Sequence, residues 1–70
     1  MRPIKYRDLI KKLRSAGFVL DRHAPGSHEI WWNMETRKTC VVPHHLEIAP
    51  GTVKNMLHQM EITEKEFSNL

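Results

Sequence analysis

Pro25-Gly26 interrupts the chain between two runs of strand-like residues, Phe18 to His23 and His28 to Asn33. Proline presets φ and glycine opens the positive-φ region, so the backbone reverses there and the flanking runs close as a hairpin. Glu35-Thr36-Arg37-Lys38 is polar and short enough for a second hairpin loop. It leads into a third strand, Thr39 to Val42, which Pro43 stops because proline cannot donate to a ladder. Three consecutive antiparallel strands leave little choice of sheet topology.

Helical spacing flanks this sheet on both sides. Tyr6, Leu9, Ile10, Leu13 and Ala16 form one apolar stripe in an expected helix from Ile4 to Ala16, entered near Pro3 and left at Gly17. Ala49-Pro50-Gly51-Thr52 opens a second helix, whose stripe is Val53, Met56, Leu57 and Met60. Thr63-Glu64-Lys65-Glu66 matches a capping box and predicts a last short helix carrying Phe67 and Leu70. The expected fold is therefore α+β, ordered α-β-β-β-α, with a three-stranded antiparallel sheet and a short C-terminal helix. Seventy residues are near the lower limit for an independent core, so residues 1–70 are read as a single domain.

Composition narrows the chemistry. A single cysteine, Cys40, excludes an internal disulfide and a cysteine-only zinc site, and its apolar surroundings make it core filler. No run approaches the length of a membrane span and the first residues lack the apolar core of a signal peptide, so a cytoplasmic protein without a membrane partner is expected. Residues 1–38 carry nine basic side chains against Asp8, Asp21, Glu29 and Glu35, a net of +5. The remainder carries Lys54 and Lys65 against four glutamates. A basic first half of this kind suits a polyanion, of which nucleic acid is the commonest.

The residue best suited to proton transfer is His28, placed at a hairpin edge where a substrate can reach it. Histidine, with an unperturbed pKa of about 6.5, both takes and gives protons near neutrality. Ser27 and His28 are neighbours on an extended chain and point apart, which argues against a serine triad. His44 and His45 diverge for the same reason, and His58 has no partner one helical turn away, so no metal and no cofactor are expected. Acid–base chemistry in a basic domain combines naturally with RNA, whose 2′-hydroxyl supplies the nucleophile. On this reading His28 is catalytic, with His44 a candidate second acid. Lys5, Lys11, Lys12, Arg22, Ser27, Arg37 and Lys38 are candidate RNA contacts. Alternation along the middle strand exposes one of Trp31 and Trp32, and Trp31 is a candidate platform for base stacking. A non-catalytic RNA-binding module and a small protein-interaction domain are the rival readings.

Four short motifs, in order, resemble the HicA (YcfA-like) toxins of bacterial HicA–HicB toxin–antitoxin pairs. They are Gly26-Ser27-His28, Val42-Pro43-His44, Pro50-Gly51-Thr52 and Thr63-xx-Glu66-Phe67. The resemblance implies a fold like the double-stranded-RNA-binding domain and a ribonuclease acting on mRNA, with His28 as its catalytic histidine. It gives Gly26 and Ser27 the role of shaping the turn. It also implies a HicB-type antitoxin partner that shields the histidine.

Overall fold

In a computed structural model describing residues 2–70, the elements are β1 (Ile4–Lys5), α1 (Tyr6–Ser15), β2 (Phe18–His23), β3 (His28–Asn33), β4 (Thr39–Pro43), β5 (Glu47–Ile48), α2 (Pro50–Met60) and α3 (Glu64–Ser68). The expected α-β-β-β-α order is present as α1, β2-β3-β4 and α2, with α3 as the short C-terminal helix. Both hairpins are antiparallel, with Trp31 opposite Leu20 on one side and Cys40 on the other.

Period-two alternation sorts β3 cleanly. Glu29, Trp31 and Asn33 are buried under the helices, while His28, Ile30 and Trp32 lie on the opposite, open face with Val19 and Val41. The core between sheet and helices joins Leu9 and Leu13 of α1 to Phe18, Trp31, Cys40, Val42, Ile48 and the α2 stripe Val53, Met56, Leu57 and Met60. Cys40 is buried there, and burial pushes its thiol up to about 12. The capping box forms as expected, with Thr63 Oγ1 accepting from Glu66 N–H and Glu66 Oε1 accepting from Thr63 N–H.

Several features depart from the expected ones. The first helix starts at Tyr6, because Ile4 and Lys5 are drawn into a two-residue ladder with Ile48 and Glu47. No side chain caps that helix; the Tyr6 N–H donates instead to the Leu46 carbonyl at 3.0 Å. The third strand of the main sheet runs on through Pro43, which pairs with His28 and ends it. In β2 the register shifts between Leu20 and Arg22, so Asp21 drops out of the pairing. Leu70 lies beyond α3 and is partly exposed.

Two polar pins lock the ends of the sheet. Gly17, at φ +94°, leaves α1 so close to Asn33 that a Cβ there would meet Asn33 Nδ2 at 2.9 Å. Buried Asn33 donates to the Ala16 carbonyl at 3.0 Å and accepts from the Glu35 and Thr36 amides, tying the helix exit to the β3–β4 turn. The β4 edge is closed differently: Val41 N–H donates to Gln59 Oε1 of α2 at 3.0 Å.

Candidate active site at the β2–β3 turn

Gly26, at φ +79°, makes the reversal, and Ala24 N–H donates to the His28 carbonyl at 2.9 Å to close it. His44 N–H donates to the Ser27 carbonyl at 2.6 Å, stitching the end of β4 to the same turn. His28 is exposed as the first residue of β3, its Nδ1 3.4 Å from the Pro25 carbonyl oxygen. Donation from Nδ1 to that carbonyl selects the tautomer that leaves Nε2 as a free acceptor.

His28 lines a cleft of about 410 Å³ between the end of the sheet and α2, together with Pro43, His45, Glu47, Thr52 and Asn55. A larger cavity of about 540 Å³ lies beside it at the β1–α1 entry, lined by Lys5, Tyr6, Arg7, His44, His45, Leu46 and Glu47. His45 and Glu47 border both cavities. His45 Nε2 is 3.2 Å from Ser27 Oγ, which places its ring against the residue preceding His28.

Behind His28, on the buried side of the sheet, sits a carboxylate. Glu29 Oε1 accepts from Tyr6 OH at 2.7 Å and from Trp31 Nε1 at 3.0 Å, and Glu29 Oε2 lies 3.4 Å from His44 Nδ1. The His44 ring stacks on Tyr6 at a centroid distance of 4.3 Å. Burial alone would raise the Glu29 carboxyl, but the donations from Tyr6 and Trp31, with His44 and His23 nearby, outweigh it and hold the group below its ordinary value. The same contact works in reverse on Tyr6: burial first, then the bond to Glu29, pushes its hydroxyl up to about 12.

The structure brings His28 and Ser27 to one turn but does not bring His44 into the His28 cleft. Parity explains the separation. Pro43 pairs with His28, so His44 projects toward Glu29 and Tyr6, and His45 returns to the cleft. Trp31 offers no stacking face: it is 2% exposed, with its indole N–H on Glu29 and the Arg14 guanidinium over its ring. Half-buried Trp32 occupies the open face instead. Lys12 is also committed, since its ammonium donates to the Phe67 and Leu70 carbonyls and lies over the Phe67 ring, where a cation suits a helix C-terminus.

The remaining basic candidates are at the surface. Lys5 borders the larger cavity and Lys11 is exposed on α1. Arg37 is exposed with φ +64° in the β3–β4 turn. Arg22 pairs with Asp21, and Lys38 pairs with Glu61, holding that carboxyl below its usual range. Sequence reasoning passed over Glu29, Tyr6 and His45 as site residues. A glutamate predicted on the same strand face as a tryptophan was the available signal for the first. Among the described residues, no three His, Cys, Asp or Glu side chains converge to hold a metal ion, and no helix is long and apolar enough to cross a membrane.

The domain is α+β, with His28 exposed at the end of the middle strand and a fully partnered carboxylate, Glu29, behind it. The family model described as the HicA toxin of bacterial toxin–antitoxin systems matches residues 6–62, and the chain belongs to that family. The matched span begins with α1, contains Gly26-Ser27-His28, Val42-Pro43-His44 and Pro50-Gly51-Thr52, and ends one residue before the Thr63 cap. Membership makes the chain the toxin member of a toxin–antitoxin pair and implies an antitoxin partner. No match is found among curated proteins.

Proposed function

We propose that the protein is an mRNA interferase, a metal-independent endoribonuclease whose general base is His28, acting in the cytoplasm to stop translation and growth. The observation that carries this reading is the exposure of His28 at the mouth of a cleft, with one ring nitrogen at the Pro25 carbonyl and the other free. The substrate brings its own nucleophile: His28 takes the proton of an RNA 2′-hydroxyl, the 2′-oxygen attacks phosphorus, and the 5′-oxygen leaves. That route needs no metal. General acid–base help is worth typically about 10²–10⁴-fold per group.

Cations of the basic half hold the strand. Arg22 and Lys38 engage Asp21 and Glu61 only through solvent-screened surface pairs, so a phosphate can displace either carboxylate. Lys5, Lys11 and Arg37 add to the positive field. The whole chain, residues 1–70, acts as one toxin domain. Its partner on this reading is a HicB-type antitoxin that covers His28, and the apolar open face of Val19, Ile30, Trp32 and Val41 gives such a partner ground beside the histidine.

The test is cleavage of mRNA by the wild type and by His28→Ala, with analysis of the ends produced. Expected are 2′,3′-cyclic phosphate and 5′-hydroxyl termini, unaffected by a chelator and lost in His28→Ala. Ends bearing 5′-phosphate, or full cleavage by the variant, overturn the assignment.

A further inference from the structure

Attack by a 2′-oxygen and departure of a 5′-oxygen occur on opposite sides of phosphorus, so an imidazole placed to take the first proton is on the wrong side to deliver the second. A second proton carrier therefore has to face His28 across the substrate. Glu29 is buried with its lone pairs directed at Tyr6, Trp31 and His44, and the Tyr6 hydroxyl is spent on Glu29. His44 is stacked on Tyr6 and turned toward Glu29 in the neighbouring cavity. His23 pairs with Glu29 in the ladder and does not line the His28 cleft. The titratable groups left in that cleft beside His28 are His45 and Glu47.

We propose that His45 is the general acid, set in place by the Ser27 hydroxyl, and that the pair His28–His45 works on one scissile phosphate lying in the cleft they share. This inference rests on the endoribonuclease reading. His45 is exposed, so RNA reaches it, and its contact with Ser27 fixes the ring relative to the turn that carries His28. The backbone supports the same geometry, since the His44 amide bonds the Ser27 carbonyl and His45 is the next residue in the chain. The charged and titratable groups around His45 are His28 from β3, Glu47 from β5, Lys5 from β1, Tyr6 and Arg7 from α1, and His44 beside it in the chain.

His28 Nε2 accepts the 2′-hydroxyl proton while the 2′-oxygen–phosphorus bond forms. The phosphorus–5′-oxygen bond breaks with its electron pair on oxygen, which takes a proton from the His45 imidazolium. The phosphodiester charge of one is carried into the 2′,3′-cyclic phosphate, and solvent returns the two imidazoles to their starting states. Ser27 is a positioning residue in this scheme.

A thio-substituted RNA separates the acid from every other role. Once the wild-type cleavage site is mapped, the same RNA is made with sulfur replacing the scissile 5′-oxygen, because a thiolate leaves without needing a proton. Expected is a loss of about 10²–10⁴-fold in kcat for His45→Ala on normal RNA, with less than about tenfold loss on the thio-RNA. His28→Ala stays slow on both. On normal RNA His45→Ala also loses the alkaline limb of the pH–kcat profile, and His45→Gln, which keeps a polar side chain of similar reach, behaves like His45→Ala. Ser27→Ala shows a smaller loss with the same dependence on leaving group, restored by Ser27→Thr. Equal losses on both RNAs for His45→Ala, no loss on either, or the thio-dependent pattern in His44→Ala instead, overturns His45 as the acid while leaving the nuclease reading standing. Absence of cleavage by the wild type, or full activity of His28→Ala, overturns the nuclease reading and this inference with it.

Discussion

His28 and Glu29 are consecutive residues with opposite fates. Both carry titratable side chains, and strand alternation sends them to opposite faces of the same sheet. Glu29 is 3% exposed, accepts from two donors and has a third, His44, at its other oxygen. The His28 side chain is exposed and has one polar contact among the described residues, at 3.4 Å. A buried carboxylate has to be fully partnered, because an unpaired one is costly to desolvate. That same partnering removes it from chemistry. The imidazole is left open to solvent, and the anchored residue behind it keeps its strand in place.

Substitutions can break this division of labour. The largest effect is expected for His28→Ala: a fall in kcat of at least about 10²–10⁴-fold in an RNA cleavage assay, with a melting temperature close to that of the wild type because the side chain buries nothing. The reverse pattern is expected two residues beyond Glu29, at the next position on the same face. Trp31→Ala should cost about 3–5 kcal/mol in a urea titration, since it empties the centre of the core and also removes a donor from Glu29.

Glu29→Gln tests the anchor more gently, with an expected loss of about 1–3 kcal/mol at neutral pH. Its sharper signature is in pH. Glu29 is held below its ordinary value of 4.5 in the folded protein, so the stability it contributes is complete above that value and is lost as pH falls through the depressed folded one. Melting temperatures measured from neutral to acid pH should therefore fall less steeply in Glu29→Gln than in the wild type. A parallel fall would show that the carboxylate is not held by its donors. The smallest effect is expected on the open face, where Val41→Thr should shift stability by no more than about 0.5 kcal/mol. A large loss there would mean that the open face is packed in the isolated toxin.

Much of the architecture is legible in local pattern. The helical stripe from Tyr6 to Leu13, the alternation from His28 to Asn33 and the Thr63 capping box each depend on residues a few positions apart, and each is found in the fold. The two-residue ladder of Ile4-Lys5 with Glu47-Ile48 was not legible, because its partners are some forty residues apart and each is too short to show a period. Lys12 looked like any exposed basic residue until the C-terminal helix folded back to place two carbonyls beside its ammonium.

By itself the sequence determined that His28 stands at a hairpin edge and that Glu29 and Trp31 share the other face, since turn chemistry and strand parity are local. Which tryptophan is covered, and which of two adjacent histidines borders the His28 cleft, was decided only in the tertiary structure. Parity says that His44 and His45 diverge, but their directions are counted from a cross-strand register, Pro43 against His28 and the His44 amide on the Ser27 carbonyl. Pairing across the sheet depends on how the whole core closes. Hence the candidate base was readable from one stretch of chain, and its candidate partner was not.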